Sequence, residues 1–296
     1  MKYLFLFLFS LTLFLALMVG NNSSIKNSLG YIDWIFLDGF FSRSILEYEP
    51  RLYKKEITTT QFNFDYSWLE KEEFIFIAHR GGEYFESGQN TKKTIMNSIN
   101  RSVSFIEIDL DFKENGNIVC VTGQDLNMGA CNLEWLLTMI EQHSFFLIID
   151  LKFNVHEVDL YKTFYENLIK TDSFQKLNCK IIPQAYNFQH LMVLKDLNYP
   201  TGPIFTTYRT NIPNSIVYEV LSNTSIKAMT IPFISINFLE GINDKRVSFF
   251  VHPINNQKDL QSSKEYEVKG IYTTLYQDQN VTNSLVKKEF TVCPNN

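Results

Sequence analysis

The chain has 296 residues, and its 27 Lys and Arg against 32 Asp and Glu give a formal net charge of −5. This length suits one large domain or two small ones, and a hydrophobic content of 45% supports a substantial core. No basic block or stripe runs along the sequence, which argues against nucleic acid as a partner.

The N-terminus predicts an export segment rather than part of the fold. Lys2 precedes an uncharged apolar run over residues 3–20, whose length lies between a signal-peptide core and a short membrane span. Because Met18 is bulky where cleavage after Gly20 needs a small residue, a cleaved signal peptide and an uncleaved signal anchor both stay open, with a buried helix as a third alternative. Lys2 marks the cytosolic side, so we expect the remainder to be exported and either membrane-anchored or secreted.

Residues 21–73 are predicted to form an aromatic-rich juxtamembrane segment and linker. Their aromatic side chains could lie at a membrane interface or cover one end of the domain that follows. The first alternative predicts membrane association. The aromatic residues in question are Tyr31, Trp34, Phe36, Phe40 and Phe41.

From Phe74 onward, short apolar runs alternate with helical stretches, which is typical of a parallel sheet buried on both faces. About eight such units fit an α/β protein of the (β/α)₈ TIM-barrel class over residues 74–296, with a doubly wound open sheet as the alternative. No glycine-rich phosphate loop follows the first strand, as a dinucleotide-binding fold would require. The predicted strands are FIFIAH, FIEIDLDF, a strand in NGNIVCVTG, FFLIIDLKF, KIIPQAY, GPIFTTY, VSFFVHPIN and GIYTTLY.

The cysteines are Cys120, Cys131, Cys179 and Cys293. They show no CxxC spacing, so a zinc site is not expected. In an exported protein they could form one or two disulfides, and buried free thiols are the alternative. The sequence does not give the pairing.

Acidic side chains lie near the ends of two predicted strands, where a barrel of this kind places its active groups. Glu107 and Asp109 share one face of their strand because side chains alternate, and at about 7 Å apart they repel each other. A hard divalent cation is the usual partner of such a pair. Asp150 lies near the end of a second strand.

Basic and titrating groups accompany these carboxylates. His79 and Arg80 close the first strand, and Lys152 shares a face with Asp150. Taken singly, a histidine at a strand end is more often structural, and an Asp-x-Lys is often a local ion pair. Together they suit an anionic phosphoryl substrate, because a metal neutralises charge while Arg and Lys hold the oxygens.

These motifs resemble the glycerophosphodiester phosphodiesterase family, within the phospholipase C-like barrel phosphodiesterases. His79-Arg80-Gly81 matches the end of the family's first strand, and Asn90-Thr91 matches its Pro-Glu-Asn-Thr. Glu107 follows Asn90 by 17 residues, as the family's Glu-x-Asp does. The similarity covers about residues 74–276. Further matches are Asn115-Gly116, Asp150-x-Lys152, Gln184 in IIPQAY, and the FFVHPIN and GIYTTLY strands.

The resemblance implies a metal-dependent phosphodiester hydrolase that acts on a glycerophosphodiester or a phospholipid headgroup. It implies that Glu107, Asp109 and Asp150 bind Ca²⁺ or Mg²⁺. It further implies that His79 is a catalytic histidine and that Arg80 contacts the phosphate. The other predicted substrate-binding residues are Asn90, Lys152 and Gln184.

The family's second catalytic histidine is missing from its expected position. Counting without gaps from Asp109 places Thr122 there, and Gln89 replaces the Glu of Pro-Glu-Asn-Thr. Threonine has no proton to give near neutral pH, whereas a general acid is worth roughly 10² to 10⁴-fold. The leaving group could need no acid, or His252 could have taken over the role. The third hypothesis is a barrel that binds a metal and a phosphodiester without turnover.

Overall fold

The structure is a computed structural model, and it describes residues 59–82, 88–112, 117–121, 131–152, 157–207, 214–242, 246–274 and 293. The predicted signal or anchor at 1–20, the aromatic residues from Tyr31 to Phe41, and Thr122 lie outside the described residues. No helix in the described part of the chain is long and apolar enough to cross a bilayer.

The strands of the described residues form one sheet, in which eight parallel strands close into a barrel. The order is β1-β9-β8-β7-β6-β5-β4-β2-β3, and an additional β1–β2 pairing closes the ring. The predicted TIM barrel is therefore confirmed. The strands are β1 Ile75–Ala78, β2 Phe105–Phe112, β3 Ile118–Cys120, β4 Phe146–Leu151, β5 Ile181–Ala185, β6 Ile204–Thr206, β7 Ala228–Pro232, β8 Ser248–Ile254 and β9 Gly270–Thr273.

Helices connect the barrel strands, and most begin at a side-chain cap. A Thr or Asn side chain accepts a backbone N–H from the first turn at Thr91, Asn132, Thr171, Asn187 and Asn256, which satisfies one of the unpaired donors of a helix start. The α-helices of the described residues are α1 Lys92–Asn100, α2 Leu133–His143, α3 Val158–Ile169, α4 Asp172–Leu177, α5 Phe188–Asp196, α6 Asn214–Leu221 and α7 Gln257–Glu265. Short 3₁₀ helices occupy Ser67–Glu70, His79–Gly81, Asn178–Lys180 and Phe233–Gly241.

The sequence counts one strand as part of the barrel that lies outside it, and it misses one barrel strand. The strand predicted within NGNIVCVTG is β3, which pairs antiparallel with β2 and lies outside the closed ring. Parallel pairing needs a crossover of a dozen or more residues, and the number of residues between Phe112 and Ile118 is too small for one. The missing barrel strand is β7, with sequence AMTIP, which is buried throughout but carries no long apolar run.

The two faces of β2 explain how carboxylates come to lie inside the barrel. Ile106 and Ile108 pack with helix residues such as Ile95 of α1. Phe105, on the opposite face, stacks on Phe146 and lies against Trp68. Because residues two apart share a face, Glu107 and Asp109 point to the same side as Phe105, into the barrel.

The described residues before β1 belong to the core. Phe62, Tyr66, Trp68 and Leu69 are buried in the same apolar cluster as the barrel strands. The Trp68 indole N–H donates to the carbonyl of Gly202 at 3.1 Å, and the Tyr66 hydroxyl donates to that of Pro203 at 3.0 Å. Both acceptors precede β6, so this part of the predicted 21–73 linker covers the N-terminal end of the barrel, opposite the strand ends that carry the polar motifs.

Candidate active site

Three buried carboxylates converge where β2 and β4 end. Asp109 and Asp150 are paired across the two strands in the sheet register. Glu107, Asp109 and Asp150 are each no more than 3% exposed. One oxygen from each lies within 4.8 Å of the other two, so the predicted ligand set forms a cluster that could hold a divalent cation.

The negative charge of Glu107 is only partly compensated by its neighbours. No hydrogen-bond donor among the described residues reaches its buried Oε1. Burial, followed by repulsion from Asp109 and Asp150, raises the pKa of Glu107 well above its usual value. Oxygen ligands of this kind suit Ca²⁺ or Mg²⁺, and a bound cation would keep Glu107 ionised, so the residues present fit the predicted ion.

Two basic side chains border the carboxylates. Lys152 Nζ lies 2.5 Å from Oδ2 of Asp150 and 3.0 Å from Oδ1 of Asp109. Burial alone would lower the pKa of Lys152, but the adjacent carboxylates reverse that effect and raise it, so the ammonium stays charged. Arg80 Nε lies 3.0 Å from Oδ2 of Asp109. Both cations are partly exposed, which leaves them able to meet an anionic ligand.

The turn after β1 delivers His79 and Arg80 in an unusual backbone shape. Arg80 has φ 53° and Gly81 has φ 83°, in a region that side chains with a Cβ rarely adopt. The Arg80 backbone N–H donates to Oε2 of Glu107 at 2.7 Å. A Cβ added to Gly81 would lie 3.1 Å from Ile95, so the glycine permits both the turn and its close packing on α1.

His79 and His252 form a direct pair. Their Nε2 atoms lie 3.0 Å apart and their rings meet edge to face, with centroids 4.4 Å apart. His79 Nε2 is 4.0 Å from Oε2 of Glu107. Burial lowers the pKa of His79 well below its usual value and that of His252 to about 3. Both imidazoles are therefore neutral near pH 7, and one Nε2–H donates to the other Nε2.

The other predicted substrate-binding residues occupy more interior positions. Asn90 accepts the Asp109 backbone N–H at 3.1 Å through Oδ1 and donates to the Val121 carbonyl at 2.8 Å, so its side chain ties the β1–α1 loop to β2. Gln184 on β5 is fully buried, and its Oε1 accepts from the Thr206 hydroxyl at 2.9 Å. Substrate contact by either residue stays a prediction.

Sequence reasoning missed two tyrosines of the site. Tyr186 donates its hydroxyl proton to Oδ1 of Asp150. Tyr272 on β9 lies beside the histidine pair, with its ring centroid 5.3 Å from that of His252. Burial raises the Tyr272 pKa well above its usual value, so its hydroxyl stays protonated. Both tyrosines lie near the C-terminal ends of apolar strand sequences. That position is the only sequence feature from which they could have been predicted as site residues.

Comparison with solved structures identifies the class of fold. No family model matches the sequence, and no curated protein sequence matches it. A glycerophosphodiester phosphodiesterase from Parabacteroides distasonis superimposes with a TM-score of 0.57 at 13% identity, over 72% of this chain and 98% of that one. An Oleispira antarctica phosphodiesterase, solved in complex with the product sn-glycerol-3-phosphate, gives a TM-score of 0.56 at 14% identity, over 71% and 96% of the two chains. The resemblance seen in the sequence motifs therefore extends to the fold: the chain has the barrel of these phosphodiesterases.

Proposed function

We propose that this protein is a metal-dependent phosphodiester hydrolase that acts on a glycerophosphodiester or a phospholipid headgroup. The observation that carries the proposal is the contact of His79 with His252 at 3.0 Å between Nε2 atoms, next to the three-carboxylate cluster. The Oleispira antarctica phosphodiesterase, solved in complex with the product sn-glycerol-3-phosphate, supports the substrate class.

The charged side chains of the site favour binding of a cation and a phosphodiester together. Glu107, Asp109 and Asp150 would hold Ca²⁺ or Mg²⁺, and the ion would supply Lewis-acid polarisation of a phosphoryl oxygen. Arg80 and Lys152 already neutralise part of the carboxylate charge. With the cation bound, these two side chains are available to hold the non-bridging oxygens of an anionic diester.

The histidine pair can move the protons that hydrolysis requires. Water attacks phosphorus, the bond from phosphorus to the leaving oxygen breaks, and the leaving alkoxide takes up a proton. One neutral imidazole accepts a proton from the attacking water and becomes an imidazolium. The pair then gives a proton to the leaving oxygen from His252, after transfer across the Nε2–Nε2 contact, so both rings end neutral as they began. His252 thus occupies a position from which it could replace the histidine that the sequence lacks at Thr122.

Turnover by purified protein tests this function. We expect release of glycerol phosphate or the headgroup alcohol from a glycerophosphodiester with Ca²⁺ or Mg²⁺, and none with EDTA. His79→Ala and His252→Ala should each lower the rate by roughly 10² to 10⁴-fold. His143→Ala changes an exposed histidine at the end of α2 and should leave the rate unchanged. A wild-type protein that binds the diester and the cation without cleaving the diester would overturn the hydrolase and indicate a binding barrel.

We also propose that the barrel is exported, with residues 1–20 as its signal or membrane anchor. All four cysteines are paired, as Cys120–Cys131 and Cys179–Cys293, and disulfides persist mainly in oxidising compartments. N-terminal sequencing of the protein from its native host tests the tether. A mature chain starting at Asn21 or Asn22 would show a cleaved signal peptide and rule out the anchor.

A further inference from the structure

Tyr186 lies immediately after β5 with its ring fully buried, and its hydroxyl makes two contacts. The Leu151 backbone N–H donates to the hydroxyl oxygen at 2.9 Å. The hydroxyl itself donates to Oδ1 of Asp150. Since the incoming N–H occupies the acceptor side of the oxygen, the hydroxyl proton is directed to the carboxylate.

These contacts fix the plane of the Asp150 carboxylate. Oδ1 is held by Tyr186 on the β5 side, and Oδ2 accepts from Lys152 Nζ at 2.5 Å. A carboxylate held at both oxygens by donors from different elements cannot rotate freely about its last bond. The cluster that could take a cation therefore has one member whose orientation is set before any ion arrives.

Tyr186 is itself held in position by two neighbouring aromatic residues, His190 and Tyr161. Its backbone N–H donates to Nδ1 of His190 at 3.4 Å, and the two rings meet edge to face at 5.6 Å. His190 of α5 stacks on Tyr161 of α3 at 3.8 Å. The Tyr161 hydroxyl donates to the Gln184 carbonyl at 2.9 Å, which returns the contacts to β5. Two outer helices thus support the position of one hydroxyl inside the site.

We propose that Tyr186 is a positioning residue whose hydroxyl orients Asp150 for the divalent cation. The inference rests on the metal site of the proposed function and adds a residue to it. A phenylalanine at position 186 would keep the buried ring and its packing. It would remove only the hydroxyl, and with it the hydrogen bond to Asp150. Hydrogen-bond partners of metal ligands change metal affinity by roughly 10 to 100-fold when removed.

Tyr186→Phe tests the proposal, and Tyr199→Phe is its matched control. Tyr199 is also buried and donates its hydroxyl to a β5 group, the Ile181 carbonyl at 3.0 Å, at the opposite end of the strand. Calorimetric titration with Ca²⁺ and with Mg²⁺ should show binding weakened by roughly 10 to 100-fold in Tyr186→Phe and unchanged in Tyr199→Phe. At saturating cation, most of the kcat of Tyr186→Phe should return with an unchanged KM, because the cation compensates for lost orientation.

The outcomes separate this proposal from the proposed function. If the wild type binds a cation and Tyr186→Phe binds it equally well, Tyr186 has no positioning role and the hydrolase is unaffected. If the wild type binds neither cation, the metal site and the role of Tyr186 are both overturned. Should Tyr186→Phe fail to fold, 3-fluorotyrosine in place of Tyr186 keeps the hydroxyl but makes it a stronger donor. If the hydroxyl orients Asp150, this change in donor strength must change the cation affinity relative to 3-fluorotyrosine in place of Tyr199, and equal affinity overturns the proposal.

Discussion

His79 and His252 are separated by 173 positions in the chain, yet their Nε2 atoms lie 3.0 Å apart. The first histidine follows β1 and the second lies within β8, and β9 stands between these strands in the barrel. The contact exists because the parallel strands of a closed barrel deliver their C-terminal ends to one face.

His252→Ala should discriminate between leaving groups. An alkoxide needs a proton as it departs, so removing the acid should slow cleavage of a glycerophosphodiester by roughly 10² to 10⁴-fold. An activated aryl phosphodiester needs little protonation and should be cleaved at nearly the wild-type rate. Steady-state kcat on both substrates checks this. Equal losses on the two substrates would mean that His252 does not serve as the acid.

The carboxylate cluster should bind a cation only in the folded protein. Ca²⁺ or Mg²⁺ should therefore raise the Tm by mass action, with a stabilisation of about 2.7 kcal/mol at an ion concentration of 100 Kd. Thermal melts with each ion and with EDTA measure the shift. The double variant Glu107→Gln/Asp109→Asn should show none. A shift of the same size in that variant would place the ion elsewhere on the protein.

The histidine pair should make stability depend on pH. Burial lowers the pKa of His252 from 6.5 to about 3, so the unfolded chain binds more protons between these values than the folded protein does. The free energy of unfolding should accordingly rise with pH across this window. The contribution of His252 is fully present above pH 6.5 and is lost as pH falls toward 3.

Urea unfolding of the cation-free protein at several pH values measures this slope. In His252→Asn the rise between pH 3 and 6.5 should be shallower, because one histidine no longer titrates. Glu107 titrates in both proteins and cancels in the difference. Parallel curves for the two proteins would show that His252 titrates alike in the folded and unfolded states.

The segment before β1 should be needed for stability. Trp68 is 1% exposed and lies against Phe105 and Phe250 inside the barrel. Trp68→Ala should cost about 3 to 5 kcal/mol of unfolding free energy, measured by denaturant unfolding. Lys162→Ala, which breaks an exposed ion pair on α3, should change stability little. If a chain starting at Phe74 is as stable as one starting at residue 59, the segment is dispensable.

The barrel could be predicted from the sequence because buried parallel strands read as short apolar runs, such as FLIIDL in β4. The carboxylates could be placed because alternation along β2 sets Glu107 and Asp109 on one face. The role of β3 could not be assigned from its apolar character, since pairing direction depends on the length of the preceding turn. Tyr186 could not be predicted as a site residue, because nothing in the sequence IIPQAY shows that its hydroxyl contacts a carboxylate on the neighbouring β4.

The ring of strands closes where β1 pairs with β9 on one side and β2 on the other. β1 is synthesised early, but its partner β9 ends only at Thr273. Strand pairing between segments so far apart in sequence is slow to form. The acidic residues, by contrast, come from β2 and β4, which are near in sequence and adjacent in the sheet. His79, however, meets His252 only when β8 and β9 are in place beside β1. On the proposed function, a chain without its last strands would have no proton-transfer pair, so cleavage of a diester would depend on completion of the barrel.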